Sequence, residues 1–163
     1  TDSDVAVTNG GGIRGDKQYP AGTKLARKDA LTELPFGNKT VKLAVTGAQL
    51  LEVLETGVSQ VENTKGRFAQ VSGLAFTYDA GKPTGSRVTS VKVGGADLDK
   101  AKTYTLATND FLARGGDGYG VFRSAKVLID AKSGTLMATQ LINHIAGLGS
   151  ISPKIEGRIT RVN

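Results

Sequence analysis

A change of hydrophobic periodicity at Thr46 constrains the fold of this chain more than any other feature. Residues 41–45 alternate large apolar side chains with lysine and alanine, so that one face of a strand is apolar. Thr46 then stands three residues before Gln49, which is the spacing of a capping box. Leucines and valines recur at helical intervals from there to Val58. The pattern therefore predicts a strand that leads directly into a helix over residues 47–60.

The rest of the chain mixes the same two periodicities. Strand-like alternation recurs in residues 4–8, 68–71, 74–78, 88–93, 104–108 and 127–129. The glycine pair at 94–95 predicts a hairpin turn between two strands. Helical character is predicted for residues 25–34 and 135–148. The stripe of the second helix that is predicted to be buried consists of Leu141, Ile142, Ile145 and Leu148. Since helices and strands do not alternate strictly, we expect an α+β fold, a single mixed-sheet domain with two to three helices over residues 1–163.

Composition excludes several classes of protein. The chain has no cysteine, so disulfides and thiolate metal sites are excluded. Its single histidine, His144, cannot form an imidazole-based metal centre and is predicted to be a surface residue near a helix end. The 21 basic and 15 acidic residues give a net charge of +6, but the basic residues do not cluster, so we expect no nucleic acid polymer as partner. No stretch approaches the ~18 apolar residues of a membrane span.

Glycine is about twice as frequent as the usual share of ~7%, with 22 residues, and two clusters stand out. The first, residues 9–15, formally contains a G-x-G-x-x-G pattern, but residues 16–22 predict a loop where dinucleotide binding needs a helix. Asn9 and Arg14 flank its glycines with an amide and a guanidinium, groups that suit a ligand with hydroxyls or phosphates. A tight turn in which Arg14 pairs with an acid such as Asp16 explains the residues equally well.

The second cluster, residues 109–120, follows a predicted strand, where a loop can hold a ligand. An exposed Phe111 could stack on a planar ring, and Asp117 could accept hydrogen bonds from two neighbouring hydroxyls. The alternative, which composition alone favours, places Phe111 in the core and lets Asp117 cap glycine N–H groups. Asp110 and Asp117 supply too few oxygens for calcium.

Five short motifs also occur in order along the chain. They are Asn-Gly-Gly-Gly-Ile-Arg (9–14), Leu-Pro-Phe-Gly-Asn (34–38), Gly-Arg-Phe-Ala-Gln-Val-Ser-Gly (66–73), Asn-Asp-Phe-Leu-Ala-Arg-Gly-Gly-Asp-Gly-Tyr (109–119) and Glu-Gly-Arg-Ile (156–159). Over essentially the whole chain, this series resembles the C-terminal substrate-binding domain of the 5′-nucleotidase and UDP-sugar hydrolase family. The resemblance implies the fold of that domain.

The resemblance also implies contacts to a nucleobase. The two phenylalanines that sandwich the base in the family fall on Phe36 and Phe111. Asn38 matches a position that can hydrogen-bond the base edge, and Gly66 matches one where the backbone passes close to the base. Stacking of this kind contributes roughly 1–3 kcal/mol per aromatic ring and tolerates different bases.

The same resemblance implies contacts to the sugar and the phosphate. The aspartate that holds the ribose hydroxyls in the family falls on Asp117. The asparagine and the arginine of the first motif fall on Asn9 and Arg14, near the ribose and the phosphate. A nucleotide or a nucleoside is therefore the expected ligand.

The chemistry of the family resides elsewhere, in an N-terminal metallophosphoesterase domain with two divalent metal ions held by histidines and carboxylates. The chain also begins too late to contain a preceding helix that carries further phosphate-binding arginines in the family. We therefore expect no catalytic residue, metal site or cofactor in this chain, which should bind a nucleotide without hydrolysing it. The resemblance implies the metallophosphoesterase domain as partner, and a periplasmic or extracellular location.

Several other functions fit the same motifs. The domain could serve a UDP-sugar hydrolase, a cyclic-nucleotide phosphodiesterase or a sulfur-oxidation hydrolase rather than a 5′-nucleotidase. It could also be a free-standing nucleoside-binding module without activity.

Overall fold

A computed structural model describes residues 2–163 of the chain. The nine strands of this part are β1 (Val5–Asn9), β2 (Thr40–Thr46), β3 (Ala69–Ser72), β4 (Leu74–Asp79), β5 (Val88–Val93), β6 (Ala96–Asp97), β7 (Thr103–Asn109), β8 (Lys126–Ile129) and β9 (Ile159–Val162). The four α-helices are α1 (Arg27–Glu33), α2 (Gly47–Val58), α3 (Asp110–Ala113) and α4 (Met137–Leu148). The three helices expected from the sequence are present, and α3 adds a single turn.

The strands form two mixed sheets. The first has the order β3-β1-β7-β2-β8, in which β1 and β7 are parallel and the other pairs are antiparallel. The second has the order β6-β5-β4-β9, in which β4 and β9 are parallel. Two mixed sheets with helices that do not alternate strictly with strands confirm the predicted α+β class.

The predicted strand-to-helix transition at Thr46 is confirmed. The Thr46 hydroxyl accepts a hydrogen bond from the Gln49 backbone N–H at 3.2 Å, and the Gln49 side-chain oxygen accepts one from the Thr46 N–H at 2.8 Å. This reciprocal pair satisfies two N–H groups that helix geometry leaves without a partner. Helix α2 ends at Val58, two residues before the predicted end.

Helix α2 and both sheets contribute to one buried apolar cluster. Its members include Val5, Val7, Leu43, Val45 and Leu106 from the first sheet, Leu74, Phe76, Tyr78 and Val91 from the second, and Leu50, Val53, Leu54 and Val58 from α2. Burying a side chain of this size contributes roughly 1.5–3 kcal/mol each. The cluster holds the two sheets and α2 together and so fixes the loops at the sheet edges.

The predicted helix α4 is confirmed, but the burial predicted for its apolar stripe is wrong. The helix begins at Met137 rather than at residue 135, and its leucine and isoleucine stripe is not buried. Leu148 is 57% exposed, and within α4 only Ala138 is buried. The stripe faces α1, which has only seven residues and covers it partly. Helical periodicity identifies residues that share a face, but it contains no information about what lies opposite that face.

Two further results concern turns and short strands. The turn predicted at Gly94 and Gly95 is confirmed, with positive φ angles of 57° and 88°, but it joins β5 to the two-residue strand β6, which was not predicted, rather than to the predicted strand at residues 104–108. Strand β9 was not predicted, and it pairs in parallel with residues 76–79 of β4. In residues 2–163, no helix is long and apolar enough to cross a membrane.

Candidate ligand-binding site

The two glycine clusters meet at one edge of the first sheet. Strands β1 and β7 are parallel neighbours with Val5 opposite Leu106, and they end at Asn9 and Asn109. The loops that follow therefore leave the sheet side by side. Strand β2 begins at the same edge, where Thr40 pairs with Asn109. The loop that carries Phe36 precedes β2, so it lies at the same edge as the two glycine clusters.

The first glycine loop packs backbone against backbone. The Gly11 N–H donates to the Gly66 carbonyl at 2.8 Å, and the Gly10 N–H donates to the Phe68 carbonyl at 2.7 Å. A Cβ atom on Gly11 would lie 2.8 Å from the Gly66 Cα atom, closer than real side chains approach. The absence of a side chain at Gly11 and at Gly66 therefore permits the close backbone contact that places Gly66 at the site.

Arg14 connects this loop to the aromatic loop after α1. Its Nε donates to the Gly11 carbonyl at 2.7 Å, and its guanidinium carbon lies 5.3 Å from the centroid of the Phe36 ring. That distance is within the range of a cation–π interaction. In the described part of the chain Arg14 has these partners rather than Asp16, so the simple turn that the sequence left open is not the arrangement found.

Phe36 lies on a turn at the end of α1 and projects outward. Its side chain is 56% exposed, and Gly37 after it takes a positive φ of 66°, which glycine adopts without strain. Asn38 is half-buried, and its carbonyl accepts a hydrogen bond from the N–H of Met137 in α4 at 2.9 Å. Phe36 and Asn38 both line a small pocket of about 100 Å³.

Phe111 is exposed because its neighbour occupies the core. The Asn109 side-chain oxygen accepts a hydrogen bond from the Leu112 N–H at 2.8 Å and so caps the one-turn helix α3. Leu112 is fully buried, and since successive helical residues point about 100° apart, Phe111 points elsewhere and is 38% exposed. Its ring lies against Gly116, where a Cβ would stand 2.5 Å from the ring atoms. The alternative that placed Phe111 in the core is wrong.

Asp117 is held in an unusual backbone conformation beside the first loop. Its φ of 53° lies in the left-handed region, which is uncommon for a residue other than glycine. Its Oδ2 accepts a hydrogen bond from the Asn9 Nδ2 at 2.7 Å, and a Cβ on Gly66 would lie 3.9 Å from the same oxygen. Strained residues of this kind concentrate at functional sites.

Asp110 ties the Phe111 loop to the loop that carries Phe36. The Lys39 N–H donates to the Asp110 Oδ1 at 3.0 Å, and the Asp110 N–H donates back to the Lys39 carbonyl at 2.9 Å. Partial burial raises the pKa of the Asp110 carboxyl, but hydrogen bonds from Arg114 and Lys39 outweigh that effect, so the pKa lies below its usual value. The negative charge therefore persists at neutral pH.

The site residues are linked by contacts, and no metal centre lies among them. Within residues 2–163 no group of three or more histidine, cysteine, aspartate or glutamate side chains is placed to hold a metal ion. Asp110 pairs with Arg114 and Asp117 with Asn9, while His144 is an exposed residue of α4.

Sequence reasoning missed the roles of Asn109 and Asp110. Both lie where β7 turns into α3, and both use their side chains to replace backbone hydrogen bonds lost at that transition. An asparagine directly after an apolar strand and three residues before a core leucine is a helix-capping signal. That signal was available in the sequence.

The fold and the site together define an α+β domain that presents exposed aromatic rings, a guanidinium and a carboxylate at one sheet edge. The family model for the 5′-nucleotidase C-terminal domain matches residues 1–124. The chain therefore belongs to the 5′-nucleotidase C-terminal domain family.

Several relatives agree with this assignment. The chain is 39% identical over 166 residues to the trifunctional nucleotide phosphoesterase protein YfkN of Bacillus subtilis (strain 168), covering 97% of the chain and 11% of that protein. It is 33% identical over 165 residues to a snake venom 5′-nucleotidase of Gloydius brevicauda, covering 95% of the chain and 28% of that protein. The crystal structure of a 5′-nucleotidase precursor from Thermus thermophilus superimposes with a TM-score of 0.92 at 38% identity, covering 99% of the chain and 32% of that protein. The chain thus spans a third or less of the length of these relatives.

Proposed function

We propose that this chain is the nucleotide-recognition part of a metal-dependent 5′-nucleotidase, which hydrolyses nucleoside 5′-phosphates to nucleosides and phosphate. The observation that carries the proposal is the linked set of contacts at one sheet edge. Arg14 contacts Phe36, Asn9 contacts Asp117, and Gly66 lies against the first glycine loop.

The base would stack between Phe36 and Phe111, with Asn38 and the Gly66 backbone at its edge. The exposure of both rings supports this role. Covering an exposed apolar side chain with a flat ligand removes apolar surface from water, which favours binding. The packing of the Phe111 ring on Gly116 also supports it, because a side chain at that position would displace the ring.

The negatively charged Asp117 would hold the ribose, and the positively charged Arg14 would hold the phosphate. Asp117 accepts from Asn9 through Oδ2, and a carboxylate has further acceptor sites for the two ribose hydroxyls. Asn9 would lie beside the same hydroxyls. Arg14 donates to Gly11 through Nε, and its remaining N–H groups match the bidentate geometry of a phosphate.

Hydrolysis would take place on a second domain. The chain spans 11–32% of the length of the three relatives described above, which supports a larger protein with an N-terminal metallophosphoesterase domain. Two divalent metal ions on that domain would activate water and stabilise the leaving alkoxide. The snake venom relatives support an extracellular or periplasmic location.

A second candidate is a phosphoesterase of broader specificity. The B. subtilis relative is named a trifunctional nucleotide phosphoesterase, and stacking between two phenylalanines discriminates poorly between bases. The same domain would then serve a cyclic-nucleotide phosphodiesterase or a UDP-sugar hydrolase. A sulfur-oxidation hydrolase has no use for paired stacking rings, so nucleotide binding would argue against it.

Calorimetry with adenosine, AMP, UDP and ribose 5-phosphate tests the proposal. We expect adenosine and AMP to bind and ribose 5-phosphate, which lacks a base, to bind far more weakly. Equal affinity for all of these ligands, or no binding of any nucleoside, would overturn it. We further expect no phosphate release from AMP when Mn²⁺ or Zn²⁺ is added to this chain alone. Metal-dependent turnover would contradict the assignment of the chemistry to another domain.

A further inference from the structure

We propose that Asn109 is a positioning residue that sets the orientation of Asn9 and thereby aims the Asp117 carboxylate at the ribose. The inference rests on the proposed function, in which Asp117 recognises the ribose hydroxyls. Asn109 is 1% exposed at the end of β7, so it acts through its neighbours rather than by touching a ligand.

The orientation of the Asn109 side chain is determined by α3. Its Oδ1 accepts the hydrogen bond from the Leu112 N–H that caps the helix, at 2.8 Å. Its Nδ2 must therefore point the opposite way, where it donates to the Thr8 Oγ1 at 3.2 Å and to the Asn9 Oδ1 at 3.1 Å. The cap consequently decides which end of the Asn109 amide faces Asn9.

The Asn109 amide in turn decides which end of Asn9 faces Asp117. Asn9 is buried and must present its oxygen to the Asn109 N–H group. Its own Nδ2 then points at Asp117 and donates to Oδ2 at 2.7 Å. With Asn9 reversed, an amide oxygen would face a carboxylate oxygen, and the two would repel each other. Asn109 thus ensures that Asp117 meets a donor.

This arrangement couples the two halves of the proposed nucleoside site. Asn109 caps the helix that carries Phe111, and it also orients the hydrogen bond from Asn9 to Asp117, whose backbone is left-handed. A substitution that keeps the cap but removes the N–H donor separates the two roles. Asn109→Asp has that property, because a carboxylate caps a helix as well as an amide does. It would draw the Asn9 NH₂ group away from Asp117.

The test compares adenosine with 2′,3′-dideoxyadenosine, which keeps the base but lacks both ribose hydroxyls. Calorimetry gives the affinity for adenosine divided by the affinity for dideoxyadenosine. This ratio is measured for the wild-type chain, for Asn109→Asp and for the matched control Thr8→Val. We expect Asn109→Asp to lower the ratio by about tenfold, since charge-assisted hydrogen bonds to the ribose are lost. The affinity for dideoxyadenosine should stay within about twofold of wild type, because the base contacts remain.

Thr8→Val removes the other acceptor of the Asn109 Nδ2 without disturbing Asn9, so it should retain the wild-type ratio. The inference is overturned if Asn109→Asp keeps the wild-type ratio, whether both affinities stay unchanged or fall equally, or if Thr8→Val lowers the ratio as much. If Asn109→Asp does not fold, Asn109→Ser allows the same comparison, because its hydroxyl keeps a capping oxygen while its side chain is one bond too short to replace the Nδ2 donor to Asn9. A wild-type chain that binds neither nucleoside would instead refute the proposed function.

Discussion

The guanidinium of Arg14 lies 5.3 Å from the centre of the Phe36 ring, which joins a side chain of the first glycine loop to the aromatic loop after α1. An exposed cation–π contact contributes about 0.5–1 kcal/mol. The contact is therefore weak enough for a ligand to compete with it. It places the proposed phosphate-binding group next to one of the proposed stacking rings.

Replacing Arg14 should affect nucleotides more than nucleosides. We expect Arg14→Ala to lower the affinity for AMP by about tenfold or more, because a charge-assisted contact to the phosphate is lost. The affinity for adenosine should change by no more than about fivefold, the size of the cation–π contribution. Arg27→Ala, an exposed arginine on α1, is the control for net charge. Equal losses for AMP and adenosine would contradict a phosphate role.

Replacing either exposed phenylalanine should weaken every nucleoside. Phe36→Ala and Phe111→Ala should each lower the affinity for adenosine by roughly 10- to 100-fold, as expected for the loss of one stacking ring. Phe36 is 56% and Phe111 38% exposed, and neither belongs to the buried apolar cluster, so the free energy of unfolding should change less than for a core side chain. Calorimetry and chemical denaturation measure the two quantities. Ile155→Ala, which removes another exposed apolar side chain, serves as the control, and unchanged affinity in both phenylalanine variants would refute the stacking assignment.

A side chain at Gly11 should disrupt the close approach of the first glycine loop to Gly66. We expect Gly11→Ala to lower the free energy of unfolding by about 1–3 kcal/mol, the cost of overpacking, and to abolish detectable adenosine binding. Gly120→Ala is the matched control, because a Cβ there meets no atom within 4 Å and φ is not positive. Denaturant titration compares the two variants. If the Gly11→Ala and Gly120→Ala chains were equally stable, the predicted close contact between Gly11 and Gly66 would be contradicted.

Stability should depend on pH through Asp110. Its pKa in the folded chain lies below its usual value, so ionised Asp110 stabilises the fold above about pH 4, the ordinary aspartate pKa. That contribution is lost as the pH falls through the lower, folded pKa. The free energy of unfolding of the wild type should therefore exceed that of Asp110→Asn at pH 7, and the difference should shrink toward about pH 3. A difference that is the same at both pH values would contradict the proposed linkage.

Local sequence signals predicted the elements well where short-range contacts decide them. The capping box at Thr46 was predictable because both partners lie within four residues, and the hairpin at residues 94–95 because glycine adopts positive φ readily. The exposure of Phe111 was not predictable from composition. It depends on Leu112 occupying the core, which long-range packing determines.

The sequence by itself determined the α+β class, the order of most elements and, through five motifs, the family and the residues of the proposed site. Only the tertiary structure decided how these residues meet. The parallel pairing of β1 with β7 brings together Asn9 and Asn109, which are 100 residues apart in sequence. The Asn109 amide can therefore donate to the Asn9 side-chain oxygen. Hydrogen bonds between residues far apart in sequence form only when the sheet is assembled, and residue spacing carries no record of them. For the same reason, the burial expected for the α4 stripe was wrong, since it depends on what packs opposite.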